Sequence, residues 1–397
     1  MFDHSSSSPT VTSLFSGCGG LDQGFAKSGY KLIAAFDSDE HAVQAFNLNH
    51  EIDAEQVEIG EGFNIPLSSD VVIAGPPCQG FSTGGGYKDV DPRNALLLTT
   101  CRAIAKSNVK LAVIENVASL TNRKNKAYLE AALNILTEGG YYCEYAVLIA
   151  SDFGVPQRRR RTVIIARSSA RPFGGVNPIE TPFVTVSDAL AGLDETSPNH
   201  VPRFPVKGSK HEKIARRIGP DQKLCNVRGG EASVPTWSIP ECFGKTTKAE
   251  RKVLETVRQL RRQQRKRSFG DADPVDVFAL ESVCREARPS VLESLVSRGY
   301  LREFGSCIDL TNTFNGKYRR LNNKGVSPTV DTRFGDVQLF LHPSENRGLT
   351  VREAARIQGF DDSFVFPDDT KKSFRLIGNA VPPPMSEAIA QMCKDLI

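Results

Sequence analysis

Short apolar runs alternate with helix-like stretches between residues 10 and 166, and this rhythm restricts the fold more than any other property of the chain. Residues 10–15 read as a buried strand, followed by a turn holding Gly17, Gly19 and Gly20 and a helical stretch over 21–27. Residues 31–36 form a second strand ending at Asp37, 40–48 a helix, and 70–74 a further strand. Helices over 95–105 and 126–137 then alternate with strands over 110–114, 145–150 and 162–166. Parallel strands need long crossovers, and a helix between each pair supplies them. The expected fold is therefore α/β: a doubly wound, mostly parallel mixed sheet of Rossmann-like type.

In such a sheet, ligands sit at the carboxyl ends of the strands. The glycine turn after the first strand lets a cofactor approach the backbone closely. Asp37 closes the second strand 17 residues beyond Gly20, where a carboxylate can bind a ribose diol. The pattern is G-x-G-G rather than G-x-G-x-x-G, which disfavours a pyrophosphate-bearing dinucleotide. It points to a nucleoside cofactor such as S-adenosylmethionine.

Three further strand ends carry reactive side chains. Gly75-Pro76-Pro77-Cys78-Gln79-Gly80-Phe81-Ser82 follows the apolar run 71–74 and places a thiol in a proline-stiffened turn. A nucleophile suits that position, although a packed free cysteine would also explain it. Glu115 follows the strand 110–114, where an ordinary helix N-terminal acid is the plain alternative. Gln157, Arg159 and Arg161 alternate in an extended segment and should share one face. The nine cysteines show neither C-x-x-C spacing nor nearby histidine pairs. They suggest no disulfide framework, no metal site and a reducing cytoplasm.

The net charge of +4 is unevenly spread: −6 over 1–200, +12 over 201–330 and −2 over 331–397. A basic block inside a mildly acidic chain suggests a surface for a polyanion. The expected division is a catalytic and cofactor-binding domain over 10–185, a target-recognition region over 186–340 and a C-terminal part over 341–397 that returns to the first. Within the middle region, residues 248–267 read as a strongly basic helix containing Arg261, Arg262 and Arg265. A helix over 290–297 and a strand–turn–strand over 298–311 follow. Together they suggest a winged-helix insert at about 246–312.

Taken in order, these pieces resemble the DNA (cytosine-5) methyltransferase family of bacterial type. The match lies in Phe15-x-Gly17-x-Gly19-Gly20, Asp37-x-Asp39, Pro76-Pro77-Cys78-Gln79, Glu115-Asn116-Val117, Gln157-x-Arg159-x-Arg161, Arg352-Glu353-Ala354-Ala355-Arg356 and Gly378-Asn379-Ala380-Val381. The resemblance implies S-adenosylmethionine as methyl donor, held by Phe15, Gly17, Gly19, Gly20, Asp37, Pro76, Asn379 and Val381. It implies Cys78 as the nucleophile on carbon 6 of cytosine, Glu115 at N3, and Arg159 and Arg161 on the exocyclic oxygen. Gln79, Ser82, Gln157, Arg261, Arg262 and Arg265 are expected on double-stranded DNA, with the target base flipped out.

One segment departs from the family. An Asp-Ile pair normally meets the adenine, whereas this chain reads Glu58-Ile59-Gly60-Glu61-Gly62-Phe63-Asn64. A monomer in the bacterial cytoplasm, at the nucleoid and without membrane contact, is expected. A cognate restriction endonuclease acting separately is compatible with the resemblance. RNA methylation by the same chemistry, or a catalytically idle DNA-binding regulator, are the competing readings.

Overall fold

The computed structural model describes residues 8–66, 68–77, 95–169, 171–266 and 272–397. They divide into two compact units, one of Met1–His200, Lys324–Arg333 and Val351–Ile397, the other of Val201–Asn323 and Phe334–Thr350.

The first unit begins β1 (Thr10–Leu14), α1 (Gly20–Lys27), β2 (Lys31–Asp37), α2 (Glu40–Asn47), β3 (Glu55–Gln56) and β4 (Val71–Ala74). It continues through α3 (Ala95–Ala105), β5 (Leu111–Val117), α4 (Lys126–Glu138), β6 (Tyr142–Ile149), β7 (Arg160–Arg167) and α5 (Val186–Leu190). The strands make one seven-stranded sheet in the order β3-β2-β1-β4-β5-β7-β6. Every pairing from β3 to β5 is parallel, and β7 runs antiparallel to both β5 and β6. The mixed, doubly wound sheet expected from the sequence is the sheet observed.

Its centre is apolar on both faces, as a strand flanked by two helical layers requires. Val71 and Ile73 of β4 enter one core with Leu21, Phe25 and Met385, while Val72 and Ala74 enter the other with Leu97, Ile104 and Leu129. The reversal of β7 matters for function. An antiparallel strand starts at the edge where its parallel neighbours end, and Arg161 accordingly lies opposite Val117, the last residue of β5.

The second unit contains α6 (Lys210–Ala215), β8 (Lys223–Leu224), β9 (Ser233–Val234), α7 (Pro240–Phe243) and α8 (Lys248–Gln263). Next come β10 (Val275–Asp276), α9 (Val277–Val283), α10 (Pro289–Ser297), β11 (Leu301–Phe304), β12 (Cys307–Leu310), β13 (Arg319–Arg320) and β14 (Phe340–Leu341). A capping box starts α8: the Thr247 amide donates to Glu250 Oε2 at 2.8 Å and the Glu250 amide to Thr247 Oγ1 at 3.2 Å. Such caps stabilise a helix by about 1 kcal/mol. Val253, Leu254, Val257 and Leu260 then pack on Leu280, Leu295 and Tyr300.

β11 and β12 form a hairpin through Gly305 and Ser306, and the positive φ of 60° at Gly305 suits a two-residue turn. β12 also pairs with β10, giving a three-stranded sheet in the order β10-β12-β11.

The chain returns to the first unit with α11 (Val351–Gln358), α12 (Thr370–Asn379) and α13 (Pro383–Cys393). α13 stacks along α1, and the two approach closely because Gly24 has no side chain: a Cβ there would lie 2.4 Å from the Glu387 nitrogen.

Candidate active site

The carboxyl ends of β1, β2, β4 and β5 and the start of β7 bring most of the expected catalytic-unit residues to one edge of the sheet. After β1 the backbone turns sharply, with φ of 54° at Phe15, 59° at Gly17 and 89° at Gly19. Glycine takes the last two values without strain. Gly17 donates its N–H to Asp37 Oδ2 at 2.8 Å, so the acid at the end of β2 fixes the turn. Asp37 Oδ1 accepts the Asp39 amide at 2.8 Å, and burial raises the Asp37 carboxyl above the usual range.

The other glycines serve close packing. A Cβ on Gly20 would lie 2.4 Å from the Val381 carbonyl oxygen, and one on Gly19 1.9 Å from His50 Nε2. Val381 itself is a core side chain, whereas Asn379 at the end of α12 is exposed.

Two residues near this turn carry no signal in the sequence. His50 stacks on Phe46 with ring centroids 4.1 Å apart, and burial pushes its imidazole down to about 4. Asp22 is fully buried, and burial pushes it up to about 7. Neither of its oxygens meets a partner in hydrogen-bond geometry among the described residues, and the nearby Ser13 hydroxyl offsets the burial only in part.

At the end of β4, the Gly75 Cβ position is 3.8 Å from Glu115 Oε2. Pro76 is buried and its carbonyl accepts from Asn116 Nδ2 at 3.3 Å, which pins the proline turn to β5. Cys78, Gln79 and Ser82 lie outside the described residues. Glu115 forms an ion pair with Arg161 Nε at 2.5 Å, with both side chains more than four-fifths buried. Arg161 also donates to the Arg160 carbonyl at 2.8 Å, so its guanidinium is oriented at two points.

Burial alternates from Gln157 to Arg161 as the extended segment requires, but the inward residues do not all reach this edge. Arg159, expected beside Arg161 on the base, is 1% exposed and donates to the carbonyls of Val330 and Gly378, each at 3.1 Å. Gln157, expected on DNA, is fully buried. Its amide nitrogen donates to the Ile357 carbonyl at 3.2 Å and its oxygen accepts the Val330 amide at 3.0 Å. Both side chains tie β7 and the segment before it to the returning C-terminal part of the chain, where backbone groups need their hydrogen bonds.

Arg261 departs from expectation for a related reason. It occupies the inward face of α8 and pairs with Asp309, both side chains being about 5% exposed, while Arg262 and Arg265 point to solvent. Breaking such a buried pair leaves one charge uncompensated. Replacement of Arg261 by Met should lower the stability of the second unit by about 3–5 kcal/mol, read as an early unfolding transition in chemical denaturation. Exposed Arg262→Met should shift it by less than about 0.5 kcal/mol.

The motif over 352–356 is likewise structural. Arg352 is fully buried and donates to the carbonyls of Pro198, Asp361 and Phe364 at 2.9, 3.1 and 2.9 Å.

Comparison with known proteins identifies the family. The family model for C-5 cytosine-specific DNA methylase matches residues 10–395. Type II methyltransferase M.AgeI of Thalassovita gelatinovora is 28% identical over an alignment covering 96% of this chain and 98% of that protein. Type II methyltransferase M.DdeI of Desulfomicrobium norvegicum is also 28% identical, covering 96% and 87%. Among solved structures, the methyltransferase EhMeth of Entamoeba histolytica shares the fold with a TM-score of 0.57 at 15% identity, over 98% of this chain and 99% of that one. With a family model spanning nearly its whole length and an acid–arginine pair at the rim of the sheet, the chain belongs to the C-5 cytosine-specific DNA methylases.

Proposed function

We propose that the protein methylates carbon 5 of a cytosine within a specific duplex DNA site, using S-adenosylmethionine, through a covalent bond between Cys78 and carbon 6. The observation that carries this reading is the buried Glu115–Arg161 pair beside Gly75, three residues before the cysteine. A carboxylate and a guanidinium fixed together can grip one pyrimidine edge, the acid at N3 and the arginine at O2.

The residues at the glycine turn fit the cofactor. Among the described residues nothing lies within 4 Å of a Cβ position on Gly17, so they leave the backbone there open to a ligand. Asp37 keeps free lone pairs for a ribose diol after accepting two amides. For the adenine edge, we assign Glu58 rather than Glu61. Ile59 is buried and anchors the segment, the Val57 amide bonds the Asp37 carbonyl, and Glu58 between them is exposed, whereas Glu61 lies 3.7 Å from Arg102.

The cofactor supplies an electrophilic methyl group on sulfur. The chain's residues make carbon 5 nucleophilic enough to take it. The Cys78 thiolate adds to carbon 6 and pushes electron density into the ring. Glu115 shares a proton with N3 as negative charge develops there, and Arg161 stabilises charge on O2 while holding Glu115 in place. After methyl transfer a water molecule takes the carbon 5 proton, and the electron pair left behind re-forms the bond between carbons 5 and 6 as the Cys78 thiolate departs. The base must leave the helix for this geometry, since stacking shields both ring carbons.

We also infer that the order α8-β10-α9-α10-β11-β12 is a winged helix and that the second unit reads the DNA. Incubation with duplexes containing 5-fluorocytosine and S-adenosylmethionine should give a denaturant-stable adduct, and bisulfite sequencing of DNA from expressing cells should reveal the site. An adduct on transfer RNA and none on any duplex would sink the DNA reading.

A further inference from the structure

In a winged helix, the third helix is ordinarily the one laid in the major groove. Here that helix is α10, and its surface is unsuited to DNA. Its exposed residues past the proline are Ser290, Glu293 and Ser297, one acid and no cation. Arg288 at its N-cap is exposed but stands at one end only. Arg298 behind it is engaged by Glu250, and Arg285 ahead of it lies 3.5 Å from Glu286.

The cations sit on α8, the first helix of the module. Lys248, Lys252, Glu255, Gln259 and Arg262 are all exposed and follow one another at intervals of four, three, four and three residues. That spacing is one continuous stripe of a helix. Arg251 is exposed alongside it, Arg265 and Lys266 extend it beyond the last turn, and Glu255 is its one acid. The half-buried Arg258 is held 5.4 Å from the Trp237 ring centre, which stiffens the same flank. Lys248, Lys252 and Arg262 have no ion-pair partner among the described residues.

From Lys248 to Arg262 the stripe is about 21 Å long at 1.5 Å per residue, roughly six base-pair steps of one strand. The opposite face of α8 is the module's core, with Val253, Val257 and Leu260 buried, so this surface is fixed in orientation.

We propose that the module docks on duplex DNA through the α8 stripe, which lies along the phosphates, and that α10 faces away from the groove. The first helix thus takes over the anchoring that the third helix usually performs. The proposal rests on the assignment of DNA as substrate and specifies which face of the second unit meets it.

The test uses the full chain and a duplex carrying its methylation site, with binding followed by fluorescence anisotropy from about 50 to 300 mM salt. Arg251→Gln, Lys252→Gln and Arg262→Gln together should lower the slope of log affinity against log salt by about 2.7, at about 0.9 per phosphate contact. Affinity at about 150 mM should fall at least tenfold. Ser290→Ala, Glu293→Ala and Ser297→Ala together should change affinity by less than twofold. All six positions are exposed, and a thermal unfolding curve checks that each triple variant is folded.

An unchanged salt slope in the α8 variant, or a tenfold loss in the α10 variant, overturns the proposal. So does a wild-type chain that binds transfer RNA more tightly than duplex. Adduct formation with 5-fluorocytosine DNA, measured on the wild type in parallel, separates the two failures. An adduct with an unchanged slope removes this docking mode alone, and no adduct with any duplex removes the substrate assignment beneath it.

Discussion

Cys78→Ala should abolish methyl transfer, by at least roughly four orders of magnitude in single-turnover rate, as the loss of a covalent nucleophile does in other enzymes. The same variant forms no adduct with 5-fluorocytosine duplex in denaturing electrophoresis. It should still bind S-adenosylmethionine, because the proposed cofactor site at the glycine turn and Asp37 does not include the thiol. DNA affinity survives as well, since phosphate contacts supply most of it. The combination is diagnostic: a packing role for the cysteine would cost stability and leave the rate within about tenfold. A residual rate of that size would remove the covalent route and with it the proposed mechanism.

Glu115→Gln should give the second large effect, a fall of about two to four orders of magnitude in the rate of methyl transfer, the usual range for a positioned acid or base. Glutamine still offers an N–H to N3 of neutral cytosine, so the base is held. It cannot share a proton with that nitrogen as charge develops. The loss therefore lies in kcat rather than KM. Arg161 also loses the carboxylate at 2.5 Å that orients it, so Glu115→Gln and Arg161→Gln combined should cost much less than the sum of the two alone. Additive losses would mean that the two side chains act separately.

The fold is legible in the sequence because its signal is local. β4 and β5 are apolar runs, and Gly17 and Gly19 of the turn take backbone angles that other residues adopt only under strain. The Glu115–Arg161 pair is legible for a related reason: the two residues lie near the end of β5 and the start of β7, and in this topology those two points share one edge. Gln157 and Arg159 escape such reasoning because their partners, Val330 and Gly378, lie 171 to 219 residues away. No periodicity reports that distance. A basic residue in a basic run likewise reads as surface, although Arg261 meets Asp309 across 48 residues of chain. Helical phase alone gives a warning there: Arg261 continues the inward row of Leu254 and Val257, while Arg262 continues the outward row of Lys248, Lys252 and Glu255.

The stacking of α13 on α1 has a consequence for biosynthesis. The Ser386 hydroxyl bonds the Leu21 carbonyl at 2.5 Å across 365 residues, and the Val381 carbonyl backs Gly20. A ribosome adding about 5–20 residues per second needs roughly 20–70 s to make the chain between these two helices. Throughout that interval the first helix exposes the apolar face that the last will cover. The first unit therefore completes its core only once α13 has been made.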